Sequence, residues 1–320
     1  MIVLITGAAG FIGSHLCEKV LNNNDKVIGI DNFDTYYSKE IKKDNLRISL
    51  SNKDFRFYQI DIRDSRKIDK IITEERPDIV MHLAAKAGVR PSIKRPKIYY
   101  DVNVNGTLNI LNSMAKNNVK KMIFASSSSV YGETRELPFS ENSSFDLPIS
   151  PYGATKKSCE AMCYTFHYLH DISIYCLRFF TVFGPRQRPD LAIHKFTKQI
   201  LEGIPITLYG EGDSKRDYTY IDDIISGLMS SLTFVKGFEI VNIGGSKTTS
   251  LKELIILLEK LIGKKALIKK YPLQSGDVSI TYANIKKAKK MLGYNPSTSL
   301  EEGLKNFLNW YLEKRNNILK

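Results

Sequence analysis

Cysteine is scarce in this sequence, and no long apolar run is present. The four cysteines, Cys17, Cys159, Cys163 and Cys176, include no CxxC pair. Such spacing excludes a disulfide-stapled secreted scaffold and matches no metal-ligand pattern, so we expect free thiols and no bound metal. No stretch reaches the roughly 20 apolar residues that span a bilayer. The first strand pattern begins at residue 2, which leaves no room for a signal peptide, so we expect a cytoplasmic protein without membrane contact.

Acidic residues are too few to balance the basic ones, and the formal net charge is +13. A strong positive charge is compatible with nucleic-acid binding. The lysines, however, are scattered in pairs such as Lys42-Lys43 and Lys120-Lys121, with no basic tail and no basic stripe interleaved with aromatic residues. We therefore expect no nucleic-acid partner, and we interpret the charge as a solvated surface that attracts anionic small molecules.

Strand-like apolar segments alternate with helical segments through the first part of the chain. They lie near residues 2–6, 26–31, 55–60, 78–83, 121–126 and 173–178. This alternation predicts an α/β fold with a doubly wound parallel sheet of the Rossmann type. Residues 240–243 are expected to return to the same sheet.

A glycine-rich loop follows the first strand pattern, with Gly7, Gly10 and Gly13. In a dinucleotide-binding turn these glycines permit the tight turn, the approach of a pyrophosphate and close packing of the helix on the sheet. The N-terminus of that helix then faces the phosphates. The second strand pattern ends in Asp31, where an acid would bond the adenosine ribose and repel a 2′-phosphate. This order of features predicts NAD, and not NADP, as the cofactor.

The alternation loosens after Gly184-Pro185. The sequence there predicts a helix near 192–202, a short strand at 206–209, and helices near 222–232, 251–261 and 300–314. We expect residues 1–178 and about 221–248 to form the NAD-binding Rossmann domain. A smaller, discontinuous α/β lobe of about 179–220 and 249–320 would then bind the substrate.

Tyr152 and Lys156 are spaced one helical turn apart, downstream of a serine run that ends the fifth strand pattern. A phenol is a poor base at neutral pH, but an ammonium one turn away favours the phenolate. The hydroxyl of Ser127 would share the proton that moves between Tyr152 and a substrate alcohol. The pair alone is weak evidence, because the same spacing arises by chance on solvated helices. Its position after a dinucleotide-binding loop predicts a proton-transfer site.

Together these motifs resemble the extended short-chain dehydrogenases/reductases that act on nucleotide sugars. The resemblance covers nearly the whole chain and includes Asp61-Ile62, His82-Leu83-Ala84-Ala85, Arg178-Phe179-Phe180 and the stretch from Arg216 to Asp223. It implies that Lys156 also bonds the nicotinamide ribose. Besides Tyr152, Lys156 and the loop glycines, the residues implied at the cofactor are Phe11, Ile12, Asp31, Asn32, Asp61, Ile62, Leu83, Ala84, Ala85, Asn103, Ser126 and Phe179.

The same resemblance implies a site for a UDP-sugar. Arg216 and Asp277 would hold the diphosphate and ribose, and Tyr209 would lie near the uracil. Arg216 also stands beside Asp217, so a structural ion pair is the alternative. His82, at the end of a strand pattern, is expected to be a core residue with satisfied hydrogen bonds and no catalytic role.

The serine strand separates subgroups within the family. Nucleotide-sugar dehydratases resemble Thr-Asp-Glu there, and uronate decarboxylases usually carry a Glu where this chain has Ser129. Both carboxylate positions of the dehydratases are serines here, Ser128 and Ser129. Hydride and proton transfer without elimination remains, and this indicates epimerisation.

The segments around Arg90, Thr181 and Arg188 resemble the UDP-glucuronate 4-epimerases. UDP-glucose 4-epimerases usually carry an Asn where Thr181 stands. Two departures occur: Lys86 replaces a more usual Gln, and Gln274 occupies the place of an Arg that serves the diphosphate in the glucose enzymes. The second departure is shared with the glucuronate subgroup.

The resemblance implies inversion at C4 through a 4-keto sugar, with Tyr152 and Ser127 moving the proton of the 4-hydroxyl. A uronic acid oxidised at C4 is a β-keto acid, which loses carbon dioxide when the carboxylate bond aligns with the carbonyl π system. An epimerase must therefore hold the carboxylate with donors. Ser128, Ser129 and Arg188 would supply them if Arg188 reaches the pocket. Otherwise Arg188 is a surface arginine that caps a loop.

Three other functions stay open. A UDP-glucose or UDP-N-acetylglucosamine 4-epimerase would share the cofactor and base but would need no carboxylate partner. A decarboxylase would release carbon dioxide. A non-catalytic nucleotide-binding protein would be expected to lose Tyr152 or Lys156, and both are present. Members of the family often dimerise through helices like 97–117 and 151–169, so we expect a homodimer.

Overall fold

The computed structural model describes residues 1–134, 136–143, 147–272 and 278–318, without the side chains of 316–318. Its strands are β1 (Ile2–Thr6), β2 (Lys26–Asp31), β3 (Phe55–Gln59), β4 (Ile79–His82), β5 (Lys121–Ser127), β6 (Ser173–Phe179), β7 (Thr181–Phe183), β8 (Ile206–Tyr209), β9 (Lys215–Arg216), β10 (Tyr218–Tyr220), β11 (Phe238–Ile243), β12 (Thr249–Ser250) and β13 (Ile268–Tyr271).

The helices alternate with these strands. They are α1 (Phe11–Asn22), α2 (Lys39–Asn45), α3 (Arg47–Leu50), α4 (Ser65–Glu75), α5 (Val89–Lys94), α6 (Pro96–Tyr99), α7 (Gly106–Lys116), α8 (Pro151–His170), α9 (Ala192–Glu202), α10 (Ile221–Phe234), α11 (Leu251–Ile262), α12 (Lys286–Leu292) and α13 (Leu300–Ile318). None of those lying in the described ranges is long and apolar enough to cross a bilayer.

Seven of the strands form one parallel sheet in the order β11-β6-β5-β4-β1-β2-β3. The order reverses beside β1, which pairs with β2 on one side and β4 on the other. In doubly wound sheets the ligand crevice lies outside the carboxyl ends of the strands at such a reversal. The predicted fold class is confirmed, and the predicted strand positions agree with the observed ones to within one or two residues.

Alternating side chains bury both faces of the sheet. Along β1, Val3 and Ile5 belong to one apolar cluster and Leu4 to another, because successive side chains of a strand point to opposite faces. The first cluster includes apolar residues of α1 and α10, and the second includes residues of α4, α7 and α8. Helices therefore cover both faces, which explains why the strand patterns read as continuous apolar runs.

The chain beyond β6 builds a smaller lobe from short strand pairs and helices. β8 pairs with β13, β9 with β12, and β7 with β10. Within the predicted segment 221–248, α10 packs on α1 and β11 joins the main sheet beside β6. Phe196 of α9 and Phe307 of α13 belong to the same apolar cluster as β1, so the lobe shares a core with the sheet. The predicted domain boundaries stay a prediction.

One predicted helix is not a continuous α-helix. In place of 97–117 the chain forms α6, a π-helical segment Tyr100–Asn105, and α7. The side chain of Asn103 in this segment bonds the backbone of Lys86 and the hydroxyl of Thr155. These tertiary contacts accompany the widened turn, and a spacing rule based on 3.6 residues per turn does not anticipate it.

Candidate active site

A cleft of about 510 Å³ lies at the carboxyl ends of the central strands. It brings together residues that are up to 274 positions apart in sequence, from Gly7 to Thr281. The sequence-predicted residues that line it are Gly7, Gly10, Phe11, Ile12, Gly13, Asp31, Asn32, Asp61, Ile62, Leu83, Ala84, Ala85, Ser126, Ser127, Ser128, Ser129, Tyr152, Lys156, Phe179, Thr181, Arg188 and Arg216.

The glycine loop has no room for side chains. Gly7 has a φ of +73°, and a Cβ there would lie 2.9 Å from the backbone nitrogen of Ala84. A Cβ on Gly13 would lie 2.1 Å from the carbonyl oxygen of Gly7. Gly10 caps helix α1 without a side-chain bond. The loop therefore presents bare backbone and a helix N-terminus to the cleft, which suits an anionic pyrophosphate.

Asp31, at the end of β2, is tied to the loops on either side of it. Its carboxylate accepts hydrogen bonds from the backbone nitrogens of Ala9 (3.2 Å) and Phe33 (2.8 Å). Burial raises the pKa of Asp31, and the nearby charge of Lys42 opposes that shift. Lys42 is buried and lines the cleft. Sequence reasoning missed Lys42 as a site residue, because it is only one of several scattered lysine pairs and its approach to Asp31 depends on how α2 packs.

Asp61 is held as a carboxylate at the cleft wall. Its Oδ2 accepts from Asn32 Nδ2 (2.8 Å) and from Arg63 Nη2 (2.9 Å). The bonds from Arg63 lower the pKa of Asp61 to about 2. Arg63 also pairs with Asp101 (2.8 Å). This wall of the cleft therefore offers a fixed acceptor at neutral pH.

Ser127, Tyr152 and Lys156 reach the same part of the cleft from two elements. β5 ends in Ser127, whose Oγ accepts from the backbone nitrogen of Ser129 (3.1 Å) and caps a short 3₁₀ turn. Helix α8 carries Tyr152 and Lys156, and Ser150 caps its N-terminus by accepting from Gly153 N (3.1 Å). The spacing predicted for a base and its ammonium is thus realised on the first turns of one helix.

The ammonium of Lys156 is anchored to the end of the sheet. Its Nζ donates to the carbonyl oxygen of Ala125 (2.7 Å) and lies 4.8 Å from the ring centroid of Phe124. The backbone nitrogen of Tyr152 donates to Ser92 Oγ (3.1 Å). Both residues therefore have defined positions relative to β5 and to the α5 segment.

A buried ion pair lies beneath this group. Arg178 donates to Glu160 through Nε (2.9 Å) and Nη2 (2.8 Å), and both side chains are at most 2% exposed. Ser126 Oγ donates to the same carboxylate (2.6 Å). The guanidinium of Arg178 also stacks on Tyr131, 4.5 Å from its ring centroid. Glu160 had no signal in the sequence beyond its position four residues after Lys156.

His82 lies outside the cleft lining and forms part of a hydrogen-bond chain in the core. Thr6 Oγ1 accepts from the backbone nitrogens of Leu83 and Ala84, so it donates to His82 Nδ1 (2.6 Å). His82 Nε2 then donates to Thr107 Oγ1 (3.0 Å). Burial lowers the pKa of His82 to about 3. A neutral, satisfied imidazole agrees with the expectation that His82 has no catalytic role.

Arg188 reaches the cleft, but its guanidinium already pairs with Asp190. Nε and Nη2 donate to the two oxygens of Asp190 (2.9 and 2.8 Å), and Tyr36 OH donates to the same carboxylate (3.2 Å). The guanidinium also lies 5.4 Å from the ring centroid of Tyr36. Asp190 thus takes the Nε/Nη2 edge of the guanidinium, and a bidentate bond to a ligand carboxylate would use the Nη1/Nη2 edge.

Of the other predicted residues that the structure describes, Arg90, Asn103 and Tyr209 do not line the cleft. Arg90 stacks its guanidinium on Tyr209, 4.7 Å from the ring centroid. Asn103 is buried and, instead of lining the cleft, supports the loop at Lys86. Asp277 and Gln274 lie outside the described residues. Lys86, by contrast, lines the cleft and pairs with Asp34 (2.7 Å).

The cleft lining also includes Arg216, which precedes the buried carboxylate of Asp217 in sequence. Asp217 accepts from the backbone nitrogens of Gly245 (2.7 Å), Ser246 (3.0 Å) and Ala283 (3.1 Å). Its own backbone nitrogen donates to Thr281 Oγ1, another cleft residue. Asp217 thus joins three loops around the position of Arg216.

The fold and the site together define the class of extended short-chain dehydrogenases/reductases. They combine a parallel sheet, a glycine loop, an acid after β2, and a serine, a tyrosine and a lysine in one cleft. The chain belongs to the family described as GDP-mannose 4,6 dehydratase, whose model matches residues 4–307. The family membership expected from the motifs is therefore confirmed.

Among the relatives in that family are 4-epimerases of UDP-sugars. The chain is 44% identical to the UDP-glucuronate 4-epimerase of Thermodesulfobacterium geofontis, over 97% of this chain and 96% of that protein. It superposes with a TM-score of 0.93 on the Bacillus cereus UDP-glucuronic acid 4-epimerase solved with UDP-glucuronic acid and NAD, at 40% identity over 98% and 100% of the two chains. It is also similar to the Thermotoga maritima UDP-glucose 4-epimerase solved with UDP-glucose, at 34% identity and a TM-score of 0.90, over 98% and 100% of the chains.

Proposed function

We propose that this protein is an NAD-dependent UDP-glucuronate 4-epimerase, which interconverts UDP-glucuronate and UDP-galacturonate. The observation that carries the proposal is the composition of the cleft around Tyr152. A serine, a tyrosine and a lysine suited to moving the proton of an alcohol lie beside Ser128 and Ser129, where an eliminating enzyme needs carboxylates. The similarity to UDP-glucuronate 4-epimerases over the full chain supports the same substrate.

The residues present fit NAD. The glycine loop is a cradle that a side chain would fill, since a Cβ at Gly7 or Gly13 would lie less than 3.0 Å from backbone atoms. Asp31 at the end of β2 suits the adenosine ribose and disfavours a 2′-phosphate. Asp61, Ile62, Leu83 and the other lining residues predicted at the cofactor would complete the site, with Lys156 at the nicotinamide ribose. When bound, NAD supplies reversible hydride exchange with a sugar carbon.

The chain's own residues move the proton. Tyr152, one helical turn from Lys156, accepts the proton of the 4-hydroxyl, and Ser127 shares that proton through its hydroxyl. The same tyrosine returns a proton to the oxygen of C4 at the end of the cycle. Between these two events the sugar turns about its phosphate linkage, so the UDP must stay anchored. We propose that Arg216 and Asp277 bind the diphosphate and ribose and that Tyr209 lies near the uracil. Arg90, which stacks on Tyr209, is proposed as a further substrate-binding residue.

The sugar carboxylate has hydroxyl donors available. Ser128, Ser129 and Thr181 all line the cleft near the serine strand. Arg188 also lines the cleft and adds a cation whose Nη1/Nη2 edge points away from Asp190. Donors that hold the carboxylate keep it out of alignment with the C4 carbonyl and so oppose decarboxylation.

A UDP-glucose 4-epimerase is the second candidate, because Asp190 already occupies two nitrogens of Arg188 and a neutral sugar would need neither. The deciding experiment incubates purified protein, without added NAD, with UDP-glucuronate, UDP-glucose or UDP-N-acetylglucosamine. We expect UDP-galacturonate from the first at a rate at least about tenfold above the other two, since a charge-assisted bond to the carboxylate is worth about 1.5–3 kcal/mol, or roughly 10- to 150-fold. Faster conversion of UDP-glucose would move the proposal to the neutral sugar.

We further propose a cytoplasmic homodimer in which residues 1–178 and about 221–248 bind NAD and the remaining segments bind the UDP-sugar. The four cysteines are all buried and unpaired, as is usual in a reducing compartment. On helix α8 the side chains of Tyr164, Tyr168 and Leu169 are 54%, 78% and 63% exposed. Such a cluster of large exposed apolar groups supports a partner surface on this helix.

A further inference from the structure

The segment 184–191, which links β7 to α9, carries Arg188 into the cleft, and we call it the arginine loop. Its backbone is unusual at Arg186, which has a φ of +64°. Side chains other than glycine seldom adopt this left-handed conformation, and it persists only where the surroundings hold it. The contacts that hold it come from two sides.

Helix α1 holds the arginine loop from the sheet side. His15 Nε2 faces the carbonyl oxygen of Pro185 at 3.0 Å, and since a carbonyl only accepts, Nε2 carries the proton. One turn later, Glu18 pairs with Arg186 at 2.8 Å, and the two side chains are 20% and 16% exposed. This is the helix whose N-terminus ends the glycine loop.

Helix α9 holds the same loop from the side of the smaller lobe. His194 Nδ1 donates to the carbonyl oxygen of Gln187 at 2.8 Å. The imidazole sits among three rings of helix α13, with centroid distances of 5.7 Å to Phe307, 6.0 Å to Trp310 and 5.2 Å to Tyr311. These rings fix the plane of the imidazole and hence the direction of its N–H.

The imidazoles of His15 and His194 therefore donate hydrogen bonds to the carbonyl oxygens of Pro185 and Gln187, just before Arg188, and we call this pair of contacts the clamp. Burial lowers the pKa of His15 to about 4 and also lowers the pKa of His194. Each ring is thus neutral near pH 7 and donates through one nitrogen, Nε2 in His15 and Nδ1 in His194. Such a clamp does not change with protonation over the neutral range.

We infer that His15, Glu18 and His194 are positioning residues that place Arg188 at the cleft wall and thereby set the preference for a uronate over a neutral sugar. The inference rests on the proposed function. Because α1 starts at the dinucleotide loop and α9 belongs to the smaller lobe, the clamp also ties the substrate arginine to both halves of the cleft. The three residues act through Arg188 and need not touch the substrate.

The test compares pairs of variants in the holoenzyme. His194→Phe keeps a ring among the three aromatic side chains but removes the donor, whereas His194→Asn keeps an N–H near the place of Nδ1. Glu18→Gln removes the charge that pairs with Arg186. His167→Phe is the matched control, since His167 Nδ1 also bonds a backbone carbonyl, that of Ile172 at 2.9 Å, far along α8. Calorimetry with UDP-glucuronate and UDP-glucose measures both affinities.

We expect His194→Phe and Glu18→Gln to weaken UDP-glucuronate binding at least about tenfold, the scale of a misplaced charge-assisted bond, with UDP-glucose affected less than about twofold. His194→Asn should restore most of the loss, and His167→Phe should match the wild type. Equal losses for both sugars, or unchanged uronate affinity in a folded Glu18→Gln variant, would overturn the inference. Wild-type protein that makes no UDP-galacturonate would instead refute the proposed function, so the two failures are distinguishable.

Discussion

Single side chains in this cleft act through the partners that surround them. Lys156 is an example. Its ammonium donates to the carbonyl oxygen of Ala125 and lies over the ring of Phe124, and these contacts keep it next to the helical turn that carries Tyr152. Arg188 differs from Lys156, because the residue that orients it, Asp190, is a carboxylate that already bonds Nε and Nη2 of its guanidinium. Substitutions of Tyr152, Lys156 and Arg188 should therefore have distinct effects.

Replacement of Tyr152 by Phe should keep the fold and the cofactor but lower turnover by at least about 10²-fold, because a positioned general base contributes on that scale. Turnover of UDP-glucuronate, together with the thermal midpoint, measures the effect. Tyr168→Phe is the matched control, since its exposed ring lies on the same helix outside the cleft. Turnover within a fewfold of wild type in Tyr152→Phe would remove Tyr152 from the role of base.

Replacement of Lys156 by Met should lower turnover and reduce the amount of NAD that co-purifies. The variant keeps the length of the side chain but removes the ammonium proposed for the nicotinamide ribose, which donates to the carbonyl oxygen of Ala125 at 2.7 Å. Turnover of UDP-glucuronate and the dinucleotide released from denatured protein are measured together. Turnover and bound NAD equal to those of the wild type would contradict this role of Lys156.

Replacement of Arg188 by Ala should weaken UDP-glucuronate binding by about 1.5–3 kcal/mol, the range for a charge-assisted hydrogen bond, and should change UDP-glucose binding little. The freed β-keto acid should also release carbon dioxide and a UDP-pentose. Binding of both sugars and the ratio of epimer to pentose are measured, with the exposed Arg66→Ala as control. Equal losses for both sugars with no pentose would assign Arg188 to the diphosphate or to the loop alone.

At the scale of elements, the buried carboxylate of Glu160 connects β5, β6 and α8 through hydrogen bonds. Glu160 of α8 accepts from Arg178 of β6 and from Ser126 of β5. The Tyr-Lys spacing predicts which residues share a helix face, but the register of α8 against the sheet is a matter of tertiary contacts such as this one and the bond from Lys156 to Ala125. The glycine loop is different, because its three glycines predict its geometry without knowledge of the packing.

Glu160→Gln should therefore lower the free energy of unfolding by about 3–5 kcal/mol, since it removes the carboxylate charge that pairs with the buried Arg178 guanidinium. Ser126→Ala, which removes one donor to the same carboxylate, should cost only about 1–3 kcal/mol. Urea unfolding measures both variants. A smaller loss for Glu160→Gln than for Ser126→Ala would mean that the ion pair does not stabilise the β5-β6-α8 layer.

At the scale of the whole molecule, the sheet and the smaller lobe share one apolar cluster, so cofactor and substrate sites are parts of one packed body. A catalytic cycle that restores its own cofactor gains nothing from releasing it. The strands of the main sheet and the longer helices of both parts were predictable, whereas the short elements such as β9, β12 and α12 and the π-helical turn at Tyr100–Asn105 were not. That turn is accompanied by tertiary contacts of Asn103.

NAD should therefore co-purify with the protein and should not be consumed during epimerisation. Denatured protein is expected to release close to one dinucleotide per chain, while Gly13→Ala should release far less, because its Cβ would lie 2.1 Å from the carbonyl of Gly7. The released nucleotide is quantified by its absorbance after acid treatment. Protein that releases none and needs stoichiometric added NAD would contradict an internal redox cycle.

The sequence by itself determined the strands of the main sheet, the glycine loop, the acid Asp31 and the spacing of Tyr152 and Lys156. These features are local, since the turn of a helix, the alternation of a strand and a left-handed φ such as that of Gly7 are set by neighbouring residues. Only the tertiary structure decided that Lys42 approaches Asp31, that Asp190 takes the fork of Arg188, and that His15 meets Pro185 across 170 positions. Such contacts join residues that are remote in the chain or depend on one side-chain rotamer, and packing of the whole molecule selects them.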